Sequence, residues 1–477
     1  MAEVNCESGC PGCVERDEQL AAARERIAQL EAEVAKSKKN SANSSKPPSS
    51  DITNPKPKHE KKGRPKKRKS GGQAGHPRNQ RDPFEEHELD NIWEWRYPSC
   101  PCCSGRLVDV EDQPQRKLQQ IELVQKPVSI EEHRTIGQWC GKCQKQFVPA
   151  LPKELIQAGL VGPRLTALVG WFKGVCHMSI SSIRRYFRDV LGVRISKGMI
   201  AKIVNKVSKS LRDPYDELLG LLMEEDCLNV DETGHKENGQ RWWTWCFRAL
   251  NYTVFKISRS RGSDVLLEVL GNDFQGLLGC DYFSAYRKYM RLNENVMLQF
   301  CLAHLIRDVK FLVTHPNTKN QEYGQRVLAL LRKLFHTIHR RDQYQSEETF
   351  RRQLERVRND LCWDIGMELP DTPEAANLAE RFYQHSESYF RFITDPDIDP
   401  TNNTAEQAIR FVAIHRRMTQ GTRGENGRNW VERIATVAVT CQQQSRSAFH
   451  FICDAVEAHF SDTSIPSLAP DPAAASP

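Results

Sequence analysis

From residue 224 the hydrophobic pattern takes on the period and composition of strands, and two of these strands end on an aspartate. CLNVDET is short and apolar, with Asp231 at its carboxyl end. RWWTWCFRA is rich in aromatic residues, as strands tend to be, and NYTVFKIS reads as a third strand. SDVLLEVLG then reads as a helix, GLLGCD as a further strand ending at Asp281, and VMLQFCLAH as one more. If the strands bearing Asp231 and Asp281 are neighbours in one sheet, their carboxylates meet at a single edge.

Residues 320–395 form a long helical stretch, exemplified by VLALLRKLFHTIHRR, without an acidic motif of obvious chemistry. TNNTAEQAIRFVAIHRRM then opens another helix, capped by Asn403 or Thr404. Glu406 lies in its first turn, and Arg410 follows four residues on along the same face. Two aspartates and a glutamate converging on one point would make a hard-oxygen site for Mg²⁺. A pair of such ions clamps the attacking and leaving oxygens of a phosphodiester, so that water and then a freed 3′-hydroxyl serve as nucleophiles. Taken singly, each acid is by default a surface charge. Arg410, Arg416 and Arg417 are candidate phosphate contacts, because guanidinium forks match phosphate oxygens; solvated helix-face charges are the alternative.

Upstream, charge is concentrated. Between Lys36 and Arg81 there are 15 Lys plus Arg against two acids, a net +13 within a chain whose total is only +7. Such a block is an electrostatic footprint for nucleic acid, although a solvated linker has the same composition. Rich in Ser, Pro, Lys and Gly, it cannot offset its ordering entropy by burial and is expected to be disordered when free. Within it Lys62-Gly63-Arg64-Pro65-Lys66 resembles an AT-hook, a flat cationic segment suited to a narrow minor groove, and Lys67 and Arg68 extend the charge.

Before this arm, Leu20, Ile27 and Val34 fall seven apart, with Ala23 and Leu30 in the second seam position, which is coiled-coil spacing. An amphipathic helix packed on its own chain is the alternative. After the arm, WEWRYPSC and HRTIGQWC read as strands that each end at a cysteine pair. Cys100-x2-Cys103 and Cys140-x2-Cys143 are the two knuckles of a four-cysteine zinc ribbon, with 36 residues between them. Further on, SISSIRRYFRDV and SKGMIAKIVNKVSKSL resemble a helix-turn-helix with Gly192 in the turn and Ser196 as a cap. Lys197, Lys202 and Lys206 are its candidate phosphate contacts.

At roughly 150 residues per domain, 477 residues suggest about three domains. Hydrophobic residues make up 39%, enough for cores, and no apolar run approaches the ~18 residues of a spanning helix. The start MAEVNCESGC has no apolar stretch of the secretory kind, so a cytoplasmic location is expected. In that compartment the 16 cysteines read as thiols or metal ligands rather than disulfides. Cys6, Cys10 and Cys13 lack a fourth ligand, and Cys301-x2-His304 alone offers too few, so His304 is read as a core or DNA-facing residue.

Several motifs, in order, resemble the insertion-sequence 66 family of bacterial transposases. They are the zipper-like start, NSSKPPSSD at Asn43–Asp51, the paired cysteines, VDETG at Val230–Gly234, CDYFSAY at Cys280–Tyr286, CLAH at Cys301–His304 and NNTAEQAIR at Asn402–Arg410. Where the family usually has Asp-Gly-Tyr, this chain has Asp281-Tyr282-Phe283. The resemblance implies a multidomain α/β protein whose ribonuclease-H-like core carries a helical insertion before the glutamate. It places the family's catalytic acids, and their Mg²⁺ or Mn²⁺, on Asp231, Asp281 and Glu406.

The expected organisation is a coiled coil at 1–38, a disordered basic linker at 39–85, a zinc-ribbon-like domain at 86–150 and a helical region at 151–215. A catalytic core follows at 216–445, with its insertion at about 315–395, then a helix and disordered tail at 446–477. The implied activity is cleavage and transfer of the DNA strands at an element's ends. The implied partners are end and target DNA, a second copy through the coiled coil, and accessory proteins of the same element. A DNA-binding protein without catalysis, such as a repressor or decayed transposase, would share every basic and zinc feature; only the three acids discriminate.

Overall fold

A computed structural model gives the architecture and describes residues 11–40, 42–44, 82–108, 118–124 and 127–470. The chain divides into two compact units, Lys58–Glu132 on one side and Met1–Pro57 with His133–Pro477 on the other.

In the smaller unit, Phe84 and Gln119 exchange two hydrogen bonds, at 2.7 and 2.8 Å. The segment WEWRYPSC is not a strand, and Trp93 and Trp95 are 78% and 92% exposed. An extended segment becomes a strand only when a neighbouring strand ladders against it, and at its end Cys100 N donates instead to Gly105 O at 2.9 Å, closing a turn.

The larger unit opens with α1, Pro11–Ser37. Its seam residues Leu20, Ile27, Leu30 and Val34 are all exposed, so packing on the described residues does not bury them. The chain then closes a turn expected to be part of a disordered linker. Asn40 is buried, Ser44 Oγ donates to Asn40 O at 2.7 Å, and Lys39 Nζ sits 3.9 Å above the Phe311 ring. Polar side chains satisfying local backbone give this segment an order that composition alone does not suggest.

A short hairpin follows, β1 (Gln138–Cys140) against β2 (Lys145–Phe147), so HRTIGQWC is a strand only over its last three residues. The stretch Lys153–Gly174 has a mean hydropathy of 1.2, enough by length and composition for a spanning helix. It is instead two helices, α2 (Lys153–Ala158) and α3 (Pro163–Gly174), separated by Gly159 in the left-handed region and by Pro163. Next come α4 (Ile180–Asp189), capped by Ser179, and α5 (Lys197–Ser210), capped by Ser196. The turn between them passes through Gly192 at φ +68, and α6 (Arg212–Leu221) leads to the sheet.

The sheet is built from β3 (Cys227–Glu237), β4 (Gln240–Arg248), β5 (Thr253–Ser258), β6 (Leu277–Cys280) and β7 (Met297–Phe300). Its order is β5-β4-β3-β6-β7: the first three are antiparallel, and β6 and β7 run parallel to β3. Parallel neighbours require crossovers, supplied by α7 (Ser263–Leu270) and α8 (Ser284–Leu292). All four residues of β6 are buried, which is why LLGC reads as a continuous apolar run. VMLQFCLAH is a strand only to Phe300; Cys301 caps α9 (Leu302–Val313).

Helices α10 (Thr318–Ile338), α11 (Glu347–Met367) and α12 (Pro373–His385) complete the helical segment between β7 and the last three helices, α13 (Asn403–Thr419), α14 (Glu425–Gln443) and α15 (Ala448–Ser461). α14 seals the free edge of β5. Glu432, Thr436 and Thr440, four residues apart, accept from the amides of Ile257, Phe255 and Thr253 at 2.6, 3.0 and 3.1 Å. Four helical residues rise ~6 Å and two strand residues ~6.8 Å, so the two repeats stay in step across the edge. Beyond α15, residues 462–470 are not the loose tail expected: Leu468 is fully buried, its carbonyl accepts from Gln444 Nε2 at 2.8 Å, and Ser467 Oγ donates to Glu217 at 2.7 Å.

Candidate active site

β3 and β6 pair Asn229 with Gly279, an offset of 279 − 229 = 50 residues. Continued two residues on, the same offset aligns Asp231, within β3, with Asp281, the residue that follows β6, and the Asp281 carboxylate acts electrostatically on Asp231. Asp281 leaves β6 in a tight turn in which its Oδ1 accepts from Phe283 N at 2.9 Å.

Glu406 arrives from α13, 125 residues beyond Asp281, and Asn402 is what brings it there. Asn402, 1% exposed, donates through Nδ2 to Val230 O at 2.8 Å and accepts from Asn229 Nδ2 at 3.0 Å. Its backbone amide donates to Cys301 Sγ at 3.1 Å, and its carbonyl accepts from Glu406 N at 3.1 Å. One residue thus ties the first half of β3, the start of α9 and the first turn of α13 together. Gly279 makes room for this: a Cβ there would lie 2.3 Å from Asn229 Nδ2.

The three acids share one electrostatic environment. Burial pushes the Asp231 carboxyl well above the usual carboxylate range, and Glu232, Asp281 and Glu406 add repulsion. Crowded carboxylates of this kind are a good fit to hard divalent cations, whose charge reverses the repulsion and whose preferred ligands are oxygens. Glu406 is held by Arg307, whose Nη2 donates to its two oxygens at 3.4 and 3.2 Å.

Glu232, next to Asp231, belongs to the site although sequence reasoning passed it over. Its side chain is 1% exposed. It accepts from Arg261 Nε and Nη2 at 2.9 and 2.7 Å and from Tyr286 Oη at 2.6 Å. Burial, then repulsion from Asp281, pushes its pKa up to about 7. Arg261 also lies 4.0 Å from the Phe283 ring and 4.6 Å from Trp243, a guanidinium held between an anion and two aromatic faces. The signal available in the sequence was the second acid of VDET.

Residues 158–429, more than half of the chain, match the family described as Transposase IS66 family. The chain belongs to the IS66 transposase family. Residues 15–82, covering most of α1 and the basic stretch, match a second family, one of unknown function (DUF6444). An uncharacterized protein, y4qI, of Sinorhizobium fredii is 26% identical over 320 residues, 61% of this chain; the match spans 58% of that relative's length.

In this IS66 family member the two cysteine pairs have the same local geometry. Ser104 N donates to Cys100 O, and Gln144 N to Cys140 O, both at 2.8 Å, and Ser104 and Gln144 are both left-handed, at φ 57 and 53. Cys140 Sγ accepts from Cys143 N at 3.4 Å. Backbone amides lower the thiol pKa of Cys100 and of Cys140, as suits thiolate ligands.

Among the candidate DNA contacts, Lys197, Lys202, Arg410 and Arg417 are exposed. Arg416 is half-buried and donates to Thr233 Oγ1 at 3.2 Å. Lys206 is not a free phosphate contact: its Nζ donates to Gln157 O and Ala158 O at 2.6 and 2.9 Å, closing the carboxyl end of α2. Lys62, Arg64, Lys66, Lys67 and Arg68, like Cys6 and Cys10, lie outside the described residues.

Proposed function

We propose that this protein is a DNA transposase of the DDE type, with Asp231, Asp281 and Glu406 as its catalytic acids. The observation that carries the reading is the register of β3 against β6, which sets two aspartates level, together with the Asn402 anchor that brings a glutamate to the same edge. The sheet order, three antiparallel strands continued by two parallel ones, supports a ribonuclease-H-like core with α10–α12 as its insertion.

The three carboxylates would hold Mg²⁺ or Mn²⁺, which activates an oxygen nucleophile and neutralises charge on the phosphodiester. Arg307 balances Glu406 and fixes its carboxylate. Asn402 orients that carboxylate toward the strands, and the exposed cations of α5 and α13 would hold DNA phosphates. Cys100, Cys103, Cys140 and Cys143 would bind structural Zn²⁺, supported by their matched turns. The exposed seam of α1 favours self-association over packing on its own chain, and the basic stretch would track DNA in the cytoplasm.

The test is a strand-transfer assay with Mg²⁺ on DNA carrying the element's ends. Joining of 3′ ends to target DNA is the expected result. Binding without cleavage would point to a repressor or decayed transposase, and cleavage without joining to a hydrolytic nuclease.

A further inference from the structure

The Cys301–His304 pair, which offers too few ligands in sequence, gains a third in the fold. Cys301 Sγ, a His304 ring nitrogen and a Glu406 oxygen lie within 4.8 Å of one another. Cys301 is 2% and His304 8% exposed. His304 Nδ1 is buried without a hydrogen-bond partner and faces Glu406 Oε1 at 3.4 Å. Cys301 occupies the cap position of α9, and its Sγ accepts from Asn402 N at the start of α13 at 3.1 Å. Burial pushes the Cys301 thiol up to about 11 and the Asn402 amide only partly opposes this, so a cation must displace the thiol proton to bind.

We propose that Cys301 Sγ, His304 Nδ1 and Glu406 form a site for a borderline-soft divalent cation such as Zn²⁺ or Cd²⁺, and that filling it withdraws Glu406 from the hard-cation site. The thiolate and imidazole donors select against Mg²⁺ and for Zn²⁺. Zinc bonds of about 2.0–2.3 Å put tetrahedral ligands about 3.5 Å apart, so closure needs side-chain shifts of about 1 Å. Three protein ligands leave a fourth position open to solvent.

Protons balance as follows. Cys301 releases its thiol proton to solvent. Arg307 only donates, and its Nη1 is 3.1 Å from His304 Nε2, so the neutral ring carries its proton on Nδ1. Metal binding moves that proton to Nε2 and expels Arg307 from it. Arg307 therefore competes with the metal for both His304 and Glu406. The cation site stands on its own geometry, whereas its effect on catalysis rests on the reading of Glu406 given above.

The test titrates full-length, zinc-loaded protein with Cd²⁺ and follows the ultraviolet charge-transfer band of cadmium thiolate. Wild type should show an increment that is absent in Cys301→Ser. His304→Ala should weaken binding at least about tenfold, and Arg307→Ala should tighten it. In parallel, Zn²⁺ should inhibit Mg²⁺-dependent cleavage by wild type at concentrations at least about tenfold below those needed against Cys301→Ser, each compared with its own zinc-free rate. Identical titrations of wild type, Cys301→Ser and His304→Ala would overturn the site. Cadmium binding as described, with equal zinc inhibition of wild type and Cys301→Ser, would overturn the withdrawal of Glu406. Binding as described in a protein that never cleaves DNA would count against the transposase reading while supporting the site.

Discussion

Asn229 Nδ2 donates to Asn402 Oδ1 at 3.0 Å, a bond between side chains 173 residues apart that joins the strand of Asp231 to the helix of Glu406. Removing it tests whether the acids are assembled by this contact. Asn402→Ala leaves Val230 O and Asn229 Nδ2 unpaired in a buried place, at a cost of about 1–3 kcal/mol in denaturant unfolding. Cleavage should fall about 10- to 100-fold, because a group orienting a metal ligand is lost. Gly279→Ala should act in the same direction by pushing Asn229 aside. Wild-type cleavage in both variants would show that Glu406 is positioned by other means.

Arg261 neutralises Glu232, which is otherwise buried beside Asp281. Arg261→Ala should destabilise the protein by about 1–3 kcal/mol at pH 8, the guanidinium being partly solvated. Adding Glu232→Gln should recover part of the loss, since the uncompensated charge goes with it. Additive losses in the double variant, read by chemical unfolding, would refute this pairing.

Glu432 gives a pH signature away from the acids. Burial raises its pKa from 4.5 to about 7, so the native state binds this proton more tightly than the unfolded chain. Its contribution is fully present below pH 4.5 and is lost as pH rises to about 7, on the order of 3 kcal/mol in total. Glu432→Gln should flatten the pH dependence of unfolding in this window while its amide oxygen still accepts from Ile257 N. An unchanged slope would contradict the burial argument.

How much of this was legible in the sequence varied by physical cause. Asp281 is readable because it follows directly on a short apolar strand, whereas Asp231, expected at a strand's end, lies within β3, which pairing with β4 carries on to Glu237. Glu406 was reached through the family motif, because its place depends on Asn402 and Asn229, a contact that no periodicity encodes. WEWRYPSC has strand composition but is not a strand, because strand pairing is not a property of one segment. Lys206 looked like a phosphate ligand because exposed lysines and lysines that cap helices are alike in sequence. Residues 462–470 looked like tail, yet the burial of Leu468 and the reach of Gln444 anchor them.

Zinc should be found in purified protein, and its content should fall in Cys100→Ser and in Cys140→Ser alike. The two turns have one geometry, so both should matter equally. Elemental analysis reads the result; wild type without zinc would refute the ribbon.

Deleting residues 45–81 should weaken DNA binding and flatten its salt dependence, since fewer counterions are released. The turn at 42–44 and α1 are kept in this variant. A slope equal to wild type, measured by titration at several salt concentrations, would make the segment a spacer.

As catalytic acids, Asp231, Asp281 and Glu406 would serve cations at the expense of stability. Asp231→Asn tests this most directly when metal-dependent cleavage and metal-free stability are measured on the same preparation. Cleavage should fall about a thousandfold, with end binding unchanged and a higher unfolding midpoint at pH 8, because a half-buried carboxylate repelled by Glu232, Asp281 and Glu406 has become neutral. Cleavage at the wild-type rate, or loss of cleavage accompanied by loss of stability, would contradict it.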